Sequence, residues 1–113
     1  MIIMYVFVSE EEFVLKMKQF NDWSLTEPAT RAIYKTYIEE IGDFNEIATK
    51  YFSAIEMSVC EVFEKCKDRF TTEEETYEYL QSNLEIEIEE EVYEIDLDFE
   101  DWDYDLNFIL IKQ

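Results

Sequence analysis

The chain has 113 residues, with 29 acidic and nine basic side chains, no histidine, and a formal net charge of −20. Such a surface repels nucleic-acid phosphates and anionic lipid headgroups alike, which excludes basic-patch nucleic-acid binding and electrostatic membrane attachment. The length fits a single domain, 1–113, and an apolar fraction of 48% can build a core, so the charge alone does not imply disorder.

Ile2–Val8 is a continuous apolar run rich in β-branched and aromatic residues and reads as a buried strand. It is too short to span a membrane and lacks the basic start of a secretory signal, so a cytoplasmic protein is expected. Residues 9–83 read as helical. Ser9 and Glu12 form a capping box that opens a helix running to about Phe20, with Phe13, Met17 and Phe20 on one face. Thr26-Glu27-Pro28 starts a second helix, in which Ala29, Ile33, Tyr37 and Ile41 recur every fourth residue up to Gly42. Asp43 is placed to cap a third and longest helix over about residues 44–69, striped by Phe44, Ile47, Tyr51, Ile55, Val59, Val62 and Cys66. Thr72 and Glu75 form another capping box for a fourth helix ending near Asn83.

Residues 84–113 change period. Leu84-Glu85-Ile86-Glu87-Ile88-Glu89 alternates as a strand with one wet face does, and the alternation resumes over Val92–Phe99. Leu106–Ile111 is another apolar strand. The expected fold is α+β. A small, mainly antiparallel sheet is made of the N-terminal strand and two or three C-terminal strands, with three or four helices between them packed on one face. Ile2–Val8 and Leu106–Ile111 are both apolar enough to be central and are candidate neighbours. The alternative pairs the first strand elsewhere and leaves the helices as a bundle.

Chemistry is thinly provided. Without histidine the commonest general base is missing, and no serine or cysteine nucleophile has such a partner. Cys60 and Cys66, six apart on a helix and so about 600° of turn apart, are poorly placed for a disulfide. Asp101, Asp103 and Asp105 match the odd positions of a calcium loop. Leu106 stands where such a loop needs glycine, and Lys112 where it needs a bidentate glutamate. The expectation is a protein that is not an enzyme and has no metal site and no cofactor.

The charge is unevenly spread. Residues 1–72 carry 13 acids and eight bases; residues 73–113 carry 16 acids and one base, Lys112. Soluble surfaces usually mix both signs, and like charges along one strand face cost stability. The regular apolar face of Ile86, Ile88, Val92, Ile95, Leu97 and Phe99 argues that this segment is ordered. Alternate strand residues advance about 6.7 Å, close to the step between neighbouring phosphates, which is about twice their 3.4 Å axial rise. Glu85, Glu87 and Glu89 would form one row of carboxylates, and Glu94, Asp96 and Asp98 a second. Glu90, Glu91, Asp101, Asp103 and Asp105 would extend the surface, with Trp102 and Tyr104 as aromatic anchors for a partner or for a homodimer.

In size, charge and the acidic strand run from Leu84 to Asp105, the chain resembles the small acidic DNA-mimic inhibitors that phages and mobile elements make against restriction, CRISPR and repair enzymes. The resemblance implies an inhibitor acting in the host cytoplasm. It would block the DNA- or RNA-binding channel of a host defence nuclease, a CRISPR effector first, and would bind that basic protein rather than nucleic acid or membrane. The competing expectation is an immunity protein or antitoxin that neutralises one cognate basic nuclease toxin.

Overall fold

A computed structural model describes residues 9–41, 44–101 and 105–113. Two compact units divide the chain, Met1–Phe52 and Ser53–Gln113. The strand expected at Ile2–Val8, and the helix stop and start expected at Gly42 and Asp43, lie outside the described residues.

In the first unit, the Ser9 hydroxyl accepts a hydrogen bond from the Glu12 N–H at 3.2 Å and starts α1 (Glu10–Lys18). Glu10, Glu11 and Glu12 fill its first turn and Lys16 and Lys18 its last, the arrangement the helix dipole favours. Helix α2 (Glu27–Ile41) begins with the Thr26 hydroxyl accepting from the Ala29 N–H at 3.5 Å. One guanidinium braces the two helices: Arg31 meets Glu11 at 2.9 Å, Glu27 at 2.6 Å and Glu10 at 3.6 Å. Phe13, buried on α1, stacks on Phe44 at the start of α3 (Phe44–Lys50), with ring centroids 5.9 Å apart.

The second unit corrects the sequence reading. The single helix expected over 44–69 is absent: α3 ends at Lys50, the chain turns, and Ala54–Ser58 is a strand, β1. Ile55 and Met57 sit two apart and both face the core, a strand spacing that the every-fourth-residue stripe concealed. Ser58 then caps α4 (Val59–Lys65), its hydroxyl accepting from the Glu61 N–H at 3.1 Å. Helix α5 (Glu73–Ser82) follows, capped by Thr72 as expected.

Strands β2 (Glu85–Ile88), β3 (Glu91–Glu100) and β4 (Leu106–Lys112) complete an antiparallel sheet in the order β1-β4-β3-β2. The fold is α+β, with five helices and four strands among the described residues. Both edges of β4 are taken, by β1 and β3. One face of the sheet presents Met57, Ile86, Ile88, Phe108 and Leu110 to Val62 of α4, its C-cap Cys66, Phe70 in the connection that follows, and Leu80 of α5. Asn107, Ile109 and Ile111, on the other face of β4, are buried too, as befits a central strand that is apolar on both sides. Among the described residues no helix is long and apolar enough to cross a membrane.

Candidate acidic interface

Strand alternation decides where each carboxylate goes. Ile86 and Ile88 turn into the core, so Glu85 and Glu87 must stand on the sheet face away from α4 and α5, where both are exposed. Pairing then fixes their neighbours, because directly opposed residues share a face. Glu85 lies opposite Glu94 and Glu87 opposite Val92. Glu85, Glu87 and Glu94 therefore form one acidic patch on the β2–β3 hairpin. Glu89 and Glu90 occupy the two-residue turn at its tip, both with left-handed backbone, φ 51° and 70°.

The second expected row does not form. A β-bulge in β3 gives Ile95 the partner Leu110 and Leu97 the partner Ile109, so Asp96 is an extra residue and the alternation reverses past it. Glu94 stays on the outer face, Asp96 sits half-buried at the bulge, and Asp98 swings to the helix face, where its carboxylate accepts from the Gln81 side-chain amide at 3.0 Å. Glu91 also faces the helix side and pairs with Lys112 at 3.4 Å. Asp101 and Asp105 are tied to each other in the connection to β4. The Asp101 N–H donates to the Asp105 carbonyl at 3.1 Å, and the Asp105 N–H to the Asp101 carboxylate at 3.2 Å. Trp102, Asp103 and Tyr104 lie outside the described residues.

The cations of this unit are already engaged. Ser53–Gln113 holds 20 acids and four bases, net −16. Lys65 meets Glu89 at 3.1 Å, Lys67 meets Glu64 at 2.9 Å, and Lys112 meets Glu91. The Arg69 guanidinium lies over the Tyr79 ring, 4.6 Å from its centroid, and donates to the Tyr79 hydroxyl at 2.8 Å. That hydroxyl donates in turn to the Glu85 carbonyl at 3.3 Å, covering part of the outer edge of β2.

Sequence reasoning missed the contribution of α4 and α5. Glu61, Glu64, Asp68, Glu73, Glu74 and Glu78 are all exposed on this unit. Glu73, Glu74 and Glu78 fall within the acidic stretch from residue 73 onward, and summing charge over the folded unit from Ser53 adds Glu61, Glu64 and Asp68 to them. Their field acts on Cys60, whose thiol is pushed up by a hydrogen bond with Glu73 and by the charges of Glu73, Glu64 and Glu61. Cys66 is pushed up chiefly by burial. Both cysteines are free, and both are held away from the thiolate form that nucleophilic attack requires. Among the described residues no group of three or more Cys, Asp or Glu side chains is placed to hold a metal ion. No family model, curated protein or solved structure matches the chain.

Proposed function

We propose that this protein is a non-enzymatic inhibitor that imitates nucleic acid and occupies the DNA- or RNA-binding channel of a host defence nuclease, a CRISPR effector being the first candidate. The observation that carries the reading is the exposed Glu85–Glu87–Glu94 patch with Glu89 and Glu90 beyond it. It is held on a β2–β3 hairpin in a unit of net charge −16, whose cations meet Glu89, Glu64, Glu91 and the Tyr79 ring. A scattered acidic surface made only for solubility would mix signs and would not stack Glu85 against Glu94 across two strands. Lysines and arginines lining a channel built for phosphates supply the missing counter-charge, and complementary fields speed encounter. Inhibition is then steric and electrostatic occlusion, without cofactor.

The test is competition. Nuclease inhibition is measured with Glu85→Lys/Glu87→Lys and, as a control on the helix face, Asp98→Lys. The outer-face variant should lose affinity tenfold or more, about 1.4 kcal/mol per decade, while Asp98→Lys keeps most of its potency. Equal potency of both variants with the parent rejects the assignment of this surface. Neutralisation of a single toxin, with related nucleases spared, moves the protein to the immunity class.

A further inference from the structure

In the first unit, the segment after α1 and the outer side of α3 enclose an open groove of about 560 Å³. Three aromatic side chains wall it, Phe20, Trp23 and Phe52, with Asn21, Asp22 and Asn45 among the polar groups around them. The indole of Trp23 is fixed from behind. Its Nε1–H donates to the Thr30 hydroxyl at 3.0 Å, that hydroxyl donates to the Thr26 carbonyl at 2.7 Å, and the Tyr51 ring meets the indole edge-on at 6.1 Å. Phe52, by contrast, is 63% exposed, so much of its ring is open to an occupant of the groove.

The lining selects the chemistry of an occupant. Among the described residues no lysine or arginine lines the groove, so an anion gains no ion pair there. Aromatic faces attract cations, and the Asp22 carboxylate and the carboxamide oxygens accept hydrogen bonds. A planar guanidinium, with five donors and two stackable faces, meets both demands at once. A lysine ammonium, compact and strongly hydrated, gains less from the same walls. The molecule already uses this pairing within itself, where Arg69 lies over Tyr79 and, at 5.7 Å, over Phe70. Lys50 lies over the Tyr51 ring at 5.4 Å and is not part of the lining.

We infer that this groove receives an arginine side chain of a basic protein partner. The chain's charge of −20 draws such a partner in, and the groove supplies a stacking seat that discriminates arginine from lysine, which bulk charge cannot do. Only the partner's identity rests on the inhibitor reading above; the preference belongs to the groove and is measurable without any nuclease.

The experiment uses the full chain carrying Trp102→Phe, which leaves Trp23 as the sole tryptophan reporter. Its emission is followed during titration with the peptide acetyl-Gly-Arg-Gly-Arg-Gly-amide and with its lysine counterpart of equal charge. The arginine peptide should bind about three- to fivefold more tightly. The preference should vanish in Phe52→Ala and in Asp22→Asn, two exposed positions whose variants should keep the parent's circular dichroism. In Glu85→Lys/Glu87→Lys both peptides should weaken together with the preference intact. Equal affinity for the two peptides, or a preference that survives Phe52→Ala and Asp22→Asn, overturns the inference. A parent-like arginine preference alongside failed nuclease inhibition would reject the inhibitor reading alone.

Discussion

Glu89 and Glu90 hold left-handed backbone in a two-residue hairpin turn, a geometry that asparagine and glycine adopt far more cheaply. A non-glycine residue in that region costs about 1–3 kcal/mol, and the exposed Lys65–Glu89 pair returns at most about 1 kcal/mol. Glu89→Asn/Glu90→Gly should therefore raise the unfolding free energy by about 1 kcal/mol in urea titration. A cross-strand test is sharper. Glu94 opposes Glu85, so Glu94→Lys replaces a like-charge pair by an ion pair and should stabilise the fold by about 0.2–1 kcal/mol. In the inhibitor reading the same change weakens partner binding, so stability and potency move in opposite directions. A substitution that merely damaged the fold would lower both. Acid sensitivity has identifiable sources too. The Arg31 guanidinium holds Glu11 below the usual carboxylate range, and the Thr71 hydroxyl and N–H do the same for Glu75. Because both folded values are depressed, their stabilising contribution is complete above the ordinary carboxylate value of about 4.3 and is lost as pH falls through the lower folded values. Glu75→Gln should flatten that acid limb of stability measured by urea unfolding.

At the scale of elements, hydroxyl caps were the most legible features. Ser9, Thr26 and Thr72 each open the helix that their spacing predicts. The same signal, overlooked at Ser58-Val59-Cys60-Glu61, marks the start of α4 inside the stretch read as one long helix. There the apolar stripe misled, because Ile47 lies in α3, Tyr51 just past its end and Ile55 in β1, and a spacing of four satisfies a strand's period of two equally well. Ser58→Ala should cost about 1 kcal/mol by loss of the cap, measured by thermal or urea unfolding. Phe108→Ala, at a wholly buried position on β4, should cost about 3–5 kcal/mol. The bulge was not legible at all. Glu94–Phe99 alternates without a flaw, and only the register imposed by adjacent apolar partners, Ile109 and Leu110, makes Asp96 the odd residue. That single insertion separates Asp98 from Glu94 and halves the carboxylate array the sequence suggested.

For the whole molecule, charge density was readable early but its presentation was not, since which acids share a face depends on pairing across strands. What the fold adds is segregation. The unit Ser53–Gln113 carries net −16, whereas Met1–Phe52 carries nine acids and five bases, three of those bases (Lys18, Arg31 and Lys35) paired across α1 and α2. Self-repulsion of this kind is screened by salt: the Debye length falls from about 30 Å at 0.01 M to about 8 Å at 0.15 M. Raising ionic strength over that range should therefore raise the midpoint of thermal unfolding by a few degrees, the opposite of what a fold held by surface ion pairs would do. In the inhibitor reading, inhibition of the nuclease over the same range should weaken, because the attraction between acidic face and basic channel is screened by the same ions. A melting midpoint that falls with salt would mean that local pairs such as those of Arg31 outweigh the net repulsion. Inhibition indifferent to salt would mean that contact with the partner is not made through the carboxylates of the β2–β3 hairpin.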